Sequence, residues 1–182
     1  MSASAPIPAD AEQRLRRVIR DVPDFPQPGI LFRDITPLLG NAATLRLSID
    51  LFAAAWRDHG IDYIVGIESR GFLFGMPLAY ALGTGFVPVR KAGKLPHKTI
   101  GAEYTLEYGA NTMEVHADAV QPGQRVLIVD DLLATGGTAA ATVALLQRLG
   151  AEVIGLAFVI ELAALGGRAQ LGAIPTQVLI TY

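Results

Sequence analysis

Val126-Leu-Ile-Val-Asp-Asp-Leu-Leu-Ala-Thr-Gly-Gly-Thr138 sets four apolar residues before two carboxylates and a glycine loop. The apolar run predicts a buried strand over Arg125–Val129, and the residues after the loop predict a helix over Thr138–Leu149. A glycine loop that opens a helix suits a phosphate. Glycines let the backbone approach closely, the first turn offers unpaired N–H groups and a partial positive charge, and Thr135 and Thr138 add hydroxyls. The candidate cradle is Ala134, Thr135, Gly136, Gly137 and Thr138. No lysine follows the glycines as in a Walker A loop, and the chain has no G-x-G-x-x-G fingerprint, which disfavours an ATPase and a dehydrogenase. Asp130 and Asp131 would repel a phosphate unless they have another partner. A ribose 5-phosphate supplies one, with its phosphate on the loop and its 2- and 3-hydroxyls on the carboxylates. The same string also reads as an acidic capping turn with Gly-Gly chosen for packing.

Outward from this string, the chain alternates strand and helix. Tyr63–Ile67, Phe86–Val89 and Val153–Ile160 read as buried strands, and Phe72–Leu82 as a helix. Leu45, Ile49, Phe52 and Trp56 fall on one face of a helix capped by Asn41 and ending near Gly60. An amphipathic helix over Asp10–Asp21, carrying Leu15, Val18 and Ile19, precedes an irregular Pro23–Gly29 segment. Strands that are almost continuously apolar and alternate with helices predict an α/β fold with a mostly parallel sheet covered on both faces. Between Lys91 and Gln121 the chain is polar and punctuated by glycine, which predicts a long hairpin or lid.

The 182 residues are 51% apolar and 18% charged, which predicts one folded domain spanning 1–182. Lys+Arg 15 against Asp+Glu 17 leaves a net charge of -2, so no basic field is available to hold nucleic acid. Without cysteine, disulfides, Cys-based zinc sites and catalytic thiols are excluded. Met1–Asp10 lacks the pattern of a secretory signal and reads as a loose tail. Gly71–Val89, the longest uncharged stretch, is interrupted by glycines and prolines and reads as helix, turn and strand rather than a membrane span. His59, His97 and His116 show no metal-ligand spacing.

The Asp-Asp-loop string resembles the signature of the type I phosphoribosyltransferases. Asp24-Phe-Pro-Gln-Pro-Gly-Ile-Leu-Phe-Arg-Asp-Ile-Thr-Pro37, Gly66-Ile-Glu-Ser-Arg-Gly-Phe-Leu-Phe-Gly75, Arg90-Lys-Ala-Gly-Lys-Leu-Pro96 and Tyr104-Thr-Leu-Glu-Tyr-Gly109 extend the resemblance to the adenine phosphoribosyltransferase family, from about Val22 to Glu161. The resemblance implies the type I phosphoribosyltransferase fold, with an N-terminal helix and hood over about 1–36 and a flexible lid over about 91–116. It implies a pentosyltransferase of purine salvage that makes AMP and diphosphate from adenine and 5-phosphoribosyl 1-diphosphate.

The resemblance also implies roles for individual residues. Asp130 and Asp131 would hold the ribose, and Ser69, Arg70 and Gly71 the diphosphate, beside a non-proline cis peptide near Glu68-Ser69. Arg90 and Lys91, next to Lys94, would also meet diphosphate, partly across a homodimer. Phe32 would stack on adenine while backbone groups near Leu31 and Arg33 read its edge, with the Arg33 side chain paired to a carboxylate such as Asp34. Glu107 on the lid would assist N9, and no covalent nucleophile is needed. Mg2+ would arrive on the diphosphate, without a protein metal site, in a cytoplasmic enzyme. His97-Lys98 departs from the small or proline residues of many family members, a difference that bears on lid stiffness. Alternatives are a phosphoribosyltransferase for hypoxanthine or orotate, a nucleic-acid-binding regulator that keeps the donor site as a sensor, and a scaffold without turnover.

Overall fold

Successive residues of the central strands serve two different cores. Ile64 of one strand and Leu127 and Val129 of its neighbour pack with Leu15, Phe52, Trp56 and Phe74 on one side of the sheet. Val65, Ile67, Val126 and Ile128 pack with Val143, Leu145 and Leu146 on the other. A strand alternates its side chains between faces, so an unbroken apolar run is what a sheet covered on both sides requires.

The computed structural model describes residues 7–182 except 107–108, with no side-chain description over 104–111. In chain order the elements are α1 (Ala9–Arg16), β1 (Arg20–Pro23), β2 (Leu31–Asp34), α2 (Thr36–Gly40), α3 (Ala42–Trp56), β3 (Tyr63–Ile67), α4 (Gly71–Leu82) and β4 (Gly85–Lys91). There follow β5 (Thr99–Leu106), β6 (Gly109–His116), β7 (Arg125–Leu133), α5 (Gly137–Arg148), β8 (Glu152–Glu161), two short 3-10 turns (Ala163–Leu165 and Gly167–Leu171) and β9 (Thr176–Thr181). A seven-stranded sheet runs β5-β6-β4-β3-β7-β8-β9. The five strands from β4 to β9 are parallel, and the β5–β6 hairpin joins antiparallel to β4. Strands β1 and β2 form a separate antiparallel ribbon. The fold is α/β with a mostly parallel central sheet flanked by helices. No helix among the described residues is long and apolar enough to cross a membrane.

Asn41 caps α3 as expected, its Oδ1 accepting from the amides of Ala43 at 2.9 Å and Thr44 at 3.3 Å. Two expectations are corrected. The first helix ends at Arg16 rather than Asp21, because Arg20–Pro23 pairs with Leu31–Asp34. Val18 and Ile19 still reach the core, from the link that follows the helix. The central strand continues past Val129 to Leu133, because β8 keeps pairing with it through Asp130↔Phe158 and Leu133↔Glu161. Both aspartates therefore lie within the strand, ahead of the glycine loop.

Candidate active site

Parallel strands β3 and β7 are neighbours, and the turns that leave their carboxyl ends face each other. After β3 come Glu68, Ser69 and Arg70, and then α4; along β7 come Asp130 and Asp131, and then the glycine loop. The two segments enclose a cavity of about 420 Å³ lined by Ser69, Arg70, Lys91, Asp130, Asp131 and Thr138, among others. A smaller cavity of about 70 Å³ follows the loop itself, from Leu132 to Ala139.

Glycine governs how closely these segments approach. A Cβ on Gly71 would lie 2.6 Å from the Val129 carbonyl oxygen and 3.0 Å from Asp130 Oδ1, so the first residue of α4 rests directly on the central strand. Gly136 takes φ +86° as the cap of α5, and no side chain among the described residues caps that helix. The first N–H groups of α5 are thus left for a ligand. Behind the loop sits a feature the sequence reading missed. A Cβ on Gly136 would lie 2.4 Å from the Gly167 carbonyl oxygen, and one on Gly167 would lie 2.1 Å from that of Ala134. The Gly166–Gly167 turn is a backbone-on-backbone support for the loop. It is fixed by Arg168, whose Nε and Nη2 donate to the Glu161 carboxylate at 3.0 and 2.6 Å. The signal available in the sequence was a second glycine pair followed by arginine.

Charge at the cavity is unevenly distributed. Burial, and then the Asp131 charge beside it, push the Asp130 carboxyl well above the usual carboxylate range, against the pull of the Asp131 amide that it accepts at 2.9 Å. Asp131 is also raised by burial, but less far, because Arg70 Nε stands 2.7 Å from its Oδ2. Glu68 is not free to meet a ligand: it accepts Arg90 Nε and Nη2 at 3.2 and 3.1 Å and the Lys91 amide at 2.9 Å. Partial burial raises its carboxyl, and those hydrogen bonds outweigh burial and hold it low. Arg90 therefore lies against Glu68 and the Lys94 carbonyl, outside the cavity lining, while Lys91 lines it. The Glu68-Ser69 peptide is cis, as the resemblance implied.

The β1–β2 ribbon brings Phe32 to the same site. The Arg70 guanidinium carbon lies 5.5 Å from the Phe32 ring centroid, and Phe25 meets Phe32 edge-on at 5.1 Å. One side chain, Arg70, thus links the ribbon to Asp131.

The phosphoribosyl transferase domain matches residues 37–172. Adenine phosphoribosyltransferase of Microcystis aeruginosa is 59% identical over 170 residues, which cover 92% of this chain and 99% of that one. The chain belongs to the adenine phosphoribosyltransferase family. Among solved structures, adenine phosphoribosyltransferase of Rhodothermus marinus superposes with a TM-score of 0.92 at 52% identity, covering 96% of this chain and 100% of that one. The Saccharomyces cerevisiae adenine phosphoribosyltransferase, complexed with adenine and an imino-altritol bisphosphate, superposes at 0.90 with 46% identity over 94% and 99% of the two chains.

Within this adenine phosphoribosyltransferase fold, one expected pairing is corrected. Arg33 pairs with Asp21, not with Asp34. Adjacent strand residues point to opposite faces, whereas Asp21 stands opposite Arg33 across the ladder. Asp34 instead accepts the Thr36 hydroxyl at 2.6 Å and amide at 2.8 Å, which hold its carboxyl low. Glu107 lies outside the described residues. No three His, Asp or Glu side chains among the described residues form a metal-holding group.

Proposed function

We propose that the chain transfers the 5-phosphoribosyl group from 5-phosphoribosyl 1-diphosphate to N9 of adenine, releasing AMP and diphosphate. The observation that carries this reading is a cavity that brings an aspartate pair and an arginine turn against the glycine loop of an uncapped helix, with Phe32 of the ribbon beside that arginine. The 5-phosphate is assigned to Ala134–Thr138 and the ribose hydroxyls to Asp130 and Asp131. The diphosphate is assigned to Ser69, Arg70 and Gly71, with Lys91 from the cavity wall. Arg90 serves first to hold Glu68 and the turn, and meets diphosphate only by leaving that pair. Adenine is assigned to Phe32 as its stacking partner and to the backbone at Leu31 and Arg33.

Bond cleavage places positive charge on the ribosyl centre and negative charge on the departing diphosphate. Asp130 and Asp131 are assigned to the ribose and Lys91 to the diphosphate, and Arg70, paired through Nε with Asp131, is assigned to bridge the two, so that charge of both signs is at hand where the bond breaks. Glu107 is the group we assign to accept the N9 proton when the lid closes and water is excluded. The donors at the cavity suit Mg2+ carried by diphosphate and water, since Glu68 is occupied by Arg90 and two aspartates do not make a cage. When bound, the ion neutralises diphosphate charge.

Leu73, Met76 and Tyr80 are exposed on one face of α4, at helical spacing and one turn from Arg70. That face supports a homodimer in which one protomer abuts its partner beside the site. The cysteine-free chain suits a reducing compartment, and we place the reaction in the cytoplasm. The deciding experiment is a magnesium-dependent assay of adenine, hypoxanthine and guanine with 5-phosphoribosyl 1-diphosphate, following nucleotide and diphosphate together. AMP from adenine alone is expected. Turnover only with another base would remove the adenine assignment from Phe32, and donor binding without turnover would leave a sensor.

A further inference from the structure

The ribbon that carries the base-reading strand shares no ladder with the main sheet. A two-stranded ribbon is marginal by itself in water, so its position beside Arg70 depends on side chains that tie it to the body. On one face Phe32 meets Arg70 and Phe25. The next residue, Arg33, points to the opposite face, where its guanidinium carbon lies 3.8 Å from the centroid of the Tyr182 ring. Arg16, at the end of α1, lies 4.5 Å from the same centroid and donates from Nη2 to the Thr181 carbonyl at 2.7 Å.

Tyr182 itself is fixed. Its amide donates to the Glu161 carbonyl and its carbonyl accepts from the Ala163 amide, each at 2.9 Å. The main chain that carries the ring is therefore fixed to the body of the enzyme, at the far end of β9 and beside Glu161, the partner of Arg168. Two guanidiniums lie near this one aromatic ring, and one of them belongs to the strand assigned to adenine. A ring quadrupole attracts a guanidinium over its face, so the contact has a preferred position and not merely a preferred proximity. Asp21 completes the arrangement from the neighbouring strand by pairing with Arg33, which leaves that side chain only 18% exposed.

We propose that Tyr182 is a positioning residue for base recognition: its ring anchors Arg33 from behind and so fixes where Leu31 and Phe32 stand relative to Arg70, which lines the cavity. It touches neither the donor site nor the reacting atoms in this arrangement, and the proposal rests on the assignment of adenine to the β2 strand. Kinetics of Tyr182→Phe, Tyr182→Leu, Tyr182→Ala and Phe32→Ala test it. Leu and Ala at 182 should raise the KM for adenine about ten-fold, while Phe, which keeps the ring face, should restore the parental value. The KM for 5-phosphoribosyl 1-diphosphate and the kcat at saturating adenine should stay near parental in all three Tyr182 variants.

If Tyr182→Ala fails to fold, the contrast between Leu and Phe, similar in bulk, decides. Equal adenine KM values in those two variants would overturn the proposal, as would a matching rise in the donor KM. An unchanged adenine KM in Phe32→Ala would instead remove the base assignment, and the proposal with it. An impaired Phe32→Ala beside a parental Tyr182→Leu would overturn the role of Tyr182 alone.

Discussion

The part of the cavity assigned to the donor and the ribbon beside Arg70 are built on different principles. At the donor end, Asp130 and Asp131 belong to a central strand, and the glycine loop is supported by a second backbone turn with no side chain between them. The ribbon rests on side chains, Arg33 on Tyr182 and Phe32 on Arg70, with Phe25 of its own loop packed edge-on against Phe32. The groups we assign to the donor are fixed by main-chain packing, where a displacement strains the core. The groups we assign to the base are fixed by aromatic and guanidinium contacts, each worth about 1 kcal/mol and separately adjustable.

The largest test of that contrast is the double change Asp130→Asn, Asp131→Asn. Initial rates of AMP formation should fall on the order of a hundred-fold or more while circular dichroism reports an intact fold. Parental turnover in this variant would remove the ribose assignment. Next is Gly167→Ala, whose Cβ would press on the Ala134 carbonyl and shift the loop. Steady-state kinetics should show the KM for 5-phosphoribosyl 1-diphosphate rising about thirty-fold, a displacement effect of the kind that costs up to a hundred-fold per ångström. An equal rise in the adenine KM would show that the two regions are not separable. Phe32→Ala sharpens the comparison from the other side, raising the adenine KM by about ten-fold through lost stacking and leaving the donor KM in place.

The smallest expected effect concerns stability. Because Asp130 titrates well above its ordinary 3.8, the folded protein binds its proton more tightly than the unfolded chain does. That contribution is complete below the unfolded pKa and is lost as pH rises through the raised folded value. Burial of the charged form therefore opposes folding as pH rises, and Asp130→Asn, which has no charge to bury, should raise Tm relative to the parent at the higher pH while lowering turnover. Thermal melts from pH 4 to pH 8 check this: the parent should lose stability relative to the variant across that range. Parallel curves would remove the burial argument for Asp130.

The donor half was the legible half. A continuous apolar run, two carboxylates and a glycine loop state their own arrangement, because strand burial and the demands of a helix N-terminus are local. The extension of the central strand to Leu133 was not legible, since it depends on where β8 stops pairing. Gly167 and Arg168 were missed for the same reason: Gly167 meets the loop, and Arg168 meets Glu161, only after the chain has crossed the sheet. The ribbon is four residues in each strand, with a proline at one end, and carries no periodicity long enough to reveal it. Its aromatic residue could be named from the motif, but the partner of Arg33 could not, because the choice between Asp21 and Asp34 is a matter of strand face.

Since the ribbon exchanges no main-chain hydrogen bonds with the seven-stranded sheet, replacing it would leave every rung of that sheet intact. On the proposed assignment of adenine to β2, base preference in this architecture is portable. Residues 20–34 could be transplanted or diversified as a cassette, with the phosphoribosyl-handling machinery unchanged, provided the arginine at 33 still meets the ring at 182.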